Sequence, residues 1–259
     1  MSGFSAEWLA LREPADRRAR NPEIAAALRA RFAGQERVSV IDLGCGAGSN
    51  LRATAAHLGP HQRWQLVDND AALLAAARER LVQWADCAEP AGDTLRLSKG
   101  GCHLEVSFAK VDLAADLELA LADPVDLVTA AALFDLVSIA WIEHFARIVV
   151  GRHIAFYTAL TYNGVEAWEP PHAADGAVLA AFHAHQARDK GFGPSAGPAA
   201  IDALARDFLA LGYEVMPGDS PWRLGADQAE LIRELAHGIA VAVRETGELT
   251  EEEVGGWLA

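Results

Sequence analysis

Residues 40–50 read VIDLGCGAGSN, and this stretch restricts the fold more tightly than any other in the chain. The run from Val38 to Leu43 is apolar apart from Ser39 and the acid Asp42, and has the length of a buried strand. Gly44, Gly46 and Gly48 follow at alternate positions, and Ser49-Asn50 open a helical pattern. A strand that feeds a glycine turn and then a helix is a cofactor-holding device. Glycine lets a ligand reach the backbone, and the first turn of a helix carries N–H groups without partners. The dinucleotide fingerprint GxGxxG sets its third glycine three positions after the second. Here the spacing is GxGxG, and Ser49 stands where that pattern wants glycine.

A chain of 259 residues suffices for one domain with a full core. The formal charge of −14, from 22 basic against 36 acidic residues, argues against nucleic acid, whose binding rests on cationic side chains. Residues 1–40 depart from this balance with seven arginines against five acids, read as a solvated helical face or an anion-facing cap. No apolar run reaches the ~20 residues that span a bilayer, and the N-terminus has no signal-peptide core. Cys45, Cys87 and Cys102 show no metal spacing and read as reduced thiols of a cytoplasmic protein without a metal centre.

Strand and helix signals alternate from residue 38 onward. Strands are expected at 38–43, 64–67, near 104–111, 125–130 and 153–160, with a hairpin about Lys99-Gly100-Gly101. Glu214–Met216 and Trp222–Leu224 look like a closing strand pair. Helices are expected at 22–31, 49–58, 71–85, 138–149, 177–188, 199–211 and 227–244. Arg12, Asp16 and Arg20 fall four apart on one face of a further N-terminal helix, provided Pro14 sits in its first turn. This alternation predicts a single α/β domain: a doubly wound, mostly parallel sheet with helices on both faces. It divides into an N-terminal helical cap (1–37), a cofactor-binding half (38–160), an insertion after strand five (161–198) and closing elements (199–259).

Ligands on such sheets bind at the carboxyl ends of the strands. After strand two stands Asp68, followed by Asn69; an acid there accepts the hydroxyls of a ribose. After strand three, the Asp112 carboxylate suits an exocyclic adenine amine, and the Leu113 N–H suits a ring nitrogen. After strand four, the small residues of TAAA leave room for a ligand.

The segments VSVIDLGCGAGSN, QLVDND, KVDL and DLVTAAALFD together resemble the first four motifs of class I S-adenosylmethionine-dependent methyltransferases, which have a Rossmann-like, seven-stranded fold. The resemblance covers residues 38–160. It implies S-adenosylmethionine as cofactor, with Asp42, Gly44, Gly46 and Gly48 at its amino-acid end. It places Asp68 at the ribose, Asp112 with Leu113 at the adenine, and Ala130 near the sulfonium. Arg20 is expected at the cofactor carboxylate.

The methyl acceptor has no fixed signature. Methyl transfer is an in-line displacement that needs alignment and exclusion of water more than a catalytic triad. Asp135 and Phe134 are expected to face the methyl group, Asp135 as a base or as a helix cap. In the insertion, Tyr162 is a candidate substrate contact, and His172 and His183 are candidate bases. Arg188 and Lys190 suggest a carboxylate or phosphate on the substrate. His183 and His185 point apart on a helix and do not share a metal. The expected activity is methyl transfer to a small polar or anionic metabolite at oxygen or nitrogen. A non-catalytic cofactor-binding or protein-interaction module is the alternative. An NAD-type oxidoreductase would need GxGxxG and a hydride-site residue, and neither is present.

Overall fold

The computed structural model describes residues 4–259. Two helices lead, α1 (Ala6–Ala19) and α2 (Pro22–Arg31). The Asn21 side chain accepts from the Glu23 and Ile24 amides, and Pro22 opens α2 where a missing N–H costs nothing. Then follow β1 (Arg37–Leu43), α3 (Ser49–Thr54), β2 (His61–Asp68), α4 (Ala71–Trp84), β3 (Cys87–Ala91), β4 (Thr94–Lys99) and β5 (Cys102–Lys110). The short α5 (Leu117–Ala120), β6 (Leu127–Ala131), α6 (Ile139–Gly151) and β7 (Ala155–Ala159) complete the sheet. Four helices close the chain: α7 (Asp175–Gln186), α8 (Ala200–Ala210), α9 (Ala229–Thr246) and α10 (Glu251–Leu258).

The seven strands form one sheet in the order β3-β4-β5-β2-β1-β6-β7. β5, β2, β1, β6 and β7 run parallel, and β3 and β4 add an antiparallel edge. Because side chains alternate along β1, Val38 and Val40 enter one core, with α2 and α4. Ile41 and Leu43 enter the other, with α6 and α8. The chain builds outward from β1 through β2 to β5, then returns to place β6 on the other side of β1. The β1–β6 boundary is therefore the switch point where the loops part.

Two expectations are corrected. The strand pair at 214–216 and 222–224 does not form. That segment carries no ladder; Tyr213 and Val215 pack on the core, the Tyr213 hydroxyl donating to Ile154 O at 2.9 Å. The opposite edge carries β4, expected from the hairpin about Lys99-Gly100-Gly101, and beyond it β3, which was not expected. Pro14 lies at the ninth position of α1, not in the first turn. It is exposed, so water serves the carbonyl that loses its partner, and the Arg12–Asp16 ladder survives with Nε–Oδ2 at 2.8 Å. The last helices, α9 and α10, pack with the insertion helix α7 in a third cluster around Val178, Ile239, Val243 and Val254. Among the described residues, no helix is long and apolar enough to cross a membrane.

Candidate functional site

The glycine turn leaves β1 with all three glycines in the left-handed region, and the Cys45 amide donates to Val67 O at 2.9 Å. Gly46 is the tightest position. Its φ is +50°, and a Cβ there would lie 3.0 Å from Leu9 Cδ1 of α1. The N-terminal helix thus lies directly on the turn. Arg52 of α3 fastens it, donating to both carboxylate oxygens of Glu13 and to Ala47 O. A Cβ on Gly44 would in the same way meet Leu133 Cδ1 at 3.2 Å.

Beneath the turn lies a buried polar network. Asp42 is fully buried, and Asn50 Nδ2 donates to its Oδ1 at 2.7 Å and to Thr129 Oγ1 at 3.0 Å. Arg20, which ends α1, donates from Nη2 to Asn50 Oδ1 at 2.8 Å and from Nη1 to the Tyr157 hydroxyl at 3.2 Å. Asp42 Oδ2 and Arg20 Nε, both buried, have no hydrogen-bond partner. Burial pushes the Asp42 carboxyl up to about 7 against the opposing pull of Asn50 and the Arg20 charge.

Asp68, at the end of β2, closes the turn from the other side. Its Oδ2 accepts from the Gly46 amide at 2.9 Å and its Oδ1 from the Asp70 amide at 3.0 Å. Burial raises its pKa, opposed by those amide donors. Each oxygen keeps a lone pair for a further donor. Asn69 beside it is exposed. After β5, exposed Asp112 accepts from the Ala114 amide, and the buried Leu113 gives its carbonyl to the Trp141 indole. The Leu113 amide makes no hydrogen bond among the described residues. Ala130 is fully buried in β6, between Leu43 and Thr158.

The acceptor-side expectations divide. Asp135 and Tyr162 meet: the Tyr162 amide approaches Asp135 Oδ1 at 3.5 Å. The Tyr162 hydroxyl donates to Glu166 Oε1 at 2.7 Å and accepts from His183 Nε2 at 3.1 Å. Asp135 thus lies at the backbone end of Tyr162, and Glu166 and His183 meet at its hydroxyl. The others go elsewhere. Phe134 is fully buried in an aromatic core with Trp141, Phe145 and Phe156, because its side chain points into the α6 face. His172 is exposed at the start of α7, where its Nδ1 accepts from the Ala174 amide. Arg188 donates to Glu245 O at 2.9 Å and pairs with that carboxylate, tying α7 to α9. Lys190 lies on the loop beyond it. No cluster of three metal-ligating side chains occurs among the described residues.

Asn50, Thr129, Tyr157 and Leu9 were not singled out by sequence. Asn50 did carry a signal, a polar residue in the first turn of the helix that opens after the glycine turn.

No family model matches the chain, and no curated protein does. Among solved structures, the chain is similar to the cyclopropane synthase MmaA2 from Mycobacterium tuberculosis. Identity is 12%, the match covers 98% of this chain and 86% of the other, and the TM-score is 0.55. It is also similar to the mycolic acid cyclopropane synthase CmaA1 complexed with SAH and CTAB, at 11% identity over 92% of this chain and 75% of the other, with a TM-score of 0.48. A third is a cyclopropane-fatty-acyl-phospholipid synthase-like protein from Lactobacillus casei, at 16% identity over 79% and 70%, with a TM-score of 0.42.

Proposed function

We propose, from the class I methyltransferase fold that this chain has, that it transfers a methyl group from S-adenosylmethionine to a small polar metabolite at oxygen or nitrogen. The observation that carries this reading is the pair of buried, unpartnered atoms at the glycine turn, Asp42 Oδ2 and Arg20 Nε. One is an acceptor on an acid and the other a donor on a cation, and Asn50 holds both groups. A free amino acid has the complementary ends, an ammonium and a carboxylate, and a buried polar atom without a partner is costly enough to call for one.

The remaining assignments follow the strand ends. Asp68 would take the ribose hydroxyls with its spare lone pairs, with Asn69 beside it. Leu113 N–H and Asp112 would take the adenine edge. Ala130 and the residues after it would border the reacting centre. Bound there, S-adenosylmethionine supplies a methyl carbon made electrophilic by its sulfonium. The chain itself aligns the acceptor and excludes water. Asp135 and His183 are the candidate bases, with Tyr162 between them. Arg188 is engaged by Glu245, so the expectation of an anionic substrate loses its main support.

Calorimetric titration with S-adenosylmethionine, S-adenosylhomocysteine and NADH tests the reading. Binding of both adenosyl compounds and not NADH is expected. Binding of NADH alone, or of none in protein freed of copurified ligand, would overturn it.

A further inference from the structure

We propose that the cleft between the α1–α2 elbow and the segment 213–225 binds a phosphate dianion, free or carried by a small molecule, through Arg18, Arg20 and Arg223. The inference stands apart from the methyl-donor reading above. It takes up the arginine-rich N-terminus, which that reading leaves largely unused.

Four of the seven arginines in residues 1–40 have partners elsewhere. Arg12 is closed by both oxygens of Asp16, Arg17 reaches Glu13 at 3.5 Å, Arg29 meets His57 Nδ1 at 2.9 Å, and Arg31 lies over the Phe32 ring. Arg37 is exposed at the start of β1. Arg18 and Arg20 remain, and they line one cleft of about 350 Å³ with Arg223, which comes from the far end of the chain. Among the described residues, neither Arg18 nor Arg223 makes a side-chain hydrogen bond or an ion pair.

The cleft is held in shape on both sides. The segment 213–225 forms no ladder and is pinned to the helices instead. Asn21 Nδ2 donates to Asp219 O at 3.1 Å, and Trp222 Nε1 donates to Asp16 Oδ1 at 3.0 Å with the Arg12 guanidinium over its ring. Gly218 lies so close to α2 that a Cβ there would meet Ile24 Cδ1 at 2.7 Å. Arg223 follows the pinned Trp222 directly, and Arg20 is anchored by Asn50 and Tyr157. Ala15 and Ala19, one turn apart on α1, line the cleft without filling it. Its volume is that of a small-molecule site. Through Arg20 and Asn50 it adjoins the network beneath the glycine turn.

Charge selects the ligand. Three guanidinia and one carboxylate, that of Asp219, line the cleft, and Asp219 pairs with none of them among the described residues. Like charges gathered without a counter-charge repel one another. Three arginines less one acid leave +2, which a phosphate monoester, at about −1.5 to −2 near neutral pH, matches better than a carboxylate does. Its oxygens also suit the forked donors of arginine. The Glu23 and Ile24 amides at the start of α2 are already taken by Asn21 Oδ1, so the attraction rests on the side chains. With −14 over the whole chain, a nucleic-acid backbone would be repelled outside the cleft, and a small molecule would not.

Inorganic phosphate, glycerol phosphate and acetate serve as probes, titrated at low salt into labelled whole protein and followed by the backbone amide spectrum. Both phosphates are expected to shift the amides of Arg18, Ala19, Asp219 and Arg223, and acetate to bind at least about tenfold more weakly. Tighter binding of glycerol phosphate assigns the cleft to an organic phosphate, and equal binding assigns it to free phosphate. Arg18→Ala and Arg223→Ala, each checked for a folded spectrum, should each weaken phosphate binding about tenfold. Arg233→Ala, at an exposed position of α9, should not. The inference is overturned if neither phosphate shifts these amides, if acetate binds as tightly, or if both cleft variants bind phosphate like the unaltered protein. Equal weakening by Arg233→Ala would mark diffuse attraction and overturn it too. A repeat with saturating S-adenosylhomocysteine separates the two readings. Phosphate shifts that persist keep the cleft distinct from the cofactor pocket, whereas phosphate that displaces S-adenosylhomocysteine one for one places the anion in that pocket and overturns the inference.

Discussion

Arg52 and Glu13 form a two-pronged ion pair, with Nε–Oε1 at 2.9 Å and Nη2–Oε2 at 2.6 Å, that fastens the N-terminal helix onto the helix after the glycine turn. The Arg52 side chain is almost wholly buried. Glu13→Ala leaves that charge with only the Ala47 carbonyl. A loss of about 3 kcal/mol in urea unfolding is expected, the low end for breaking a buried pair from one side. Glu13→Ala with Arg52→Ala should cost less than the sum of the two single changes, which a double-mutant cycle measures.

Asp42 sets a pH dependence. Its folded pKa of about 7 lies above the ordinary 3.8, so between those values the native state holds a proton that the unfolded state has lost. This group's contribution to stability therefore falls as pH rises through that window. Its ability to attract a cation rises as it ionises. Calorimetric affinity for S-adenosylhomocysteine should increase roughly tenfold from about pH 6 to about pH 8, and Asp42→Asn should flatten the profile.

Asp68→Ala removes the acceptor of the Gly46 amide as well as the expected ribose contact. We expect about 1–3 kcal/mol of destabilisation together with at least about tenfold weaker binding of S-adenosylhomocysteine. Unchanged affinity would sink the ribose assignment.

Gly46→Ala tests the approach of α1. The left-handed backbone alone costs about 1–2 kcal/mol, and the added methyl meets Leu9 at 3.0 Å. Leu9→Ala in that background should relieve the contact and leave the backbone cost, so unfolding free energy should recover in part. Full recovery would remove strain at Gly46 as a factor.

Arg188→Ala should leave S-adenosylhomocysteine affinity and any methyl transfer unchanged. Its stability cost should stay below about 1 kcal/mol, because both partners of the pair with Glu245 are largely exposed. A large loss of activity in a folded Arg188→Ala protein would return this residue to the substrate site.

The parallel half of the sheet was legible because strands buried on both faces read as short apolar runs, and helices between them as stripes. Val38–Leu43 and the turn after it could hardly be read otherwise. At the antiparallel edge the hairpin of β4 and β5 about Lys99-Gly100-Gly101 was legible, and the outermost strand β3 was not. Pro90 argues against a strand at Cys87–Ala91, yet an edge strand tolerates a residue that cannot donate. Conversely, Glu214–Met216 alternates as a strand should but finds no ladder partner.

The site divides along the same line. The sequence by itself determined the strand, the left-handed glycines, the capping residues and the acids at the strand ends, because each depends on backbone preference and neighbours a few positions away. Only the tertiary structure decided that Arg20 and Asp42 share Asn50, that Leu9 rests on Gly46, that Glu166 joins Tyr162 and His183, and that Phe134 turns into the core while Arg188 turns to Glu245. Those contacts join segments tens of residues apart, and which side chains meet there is fixed by the packing of helices on the sheet, not by any local pattern along the chain.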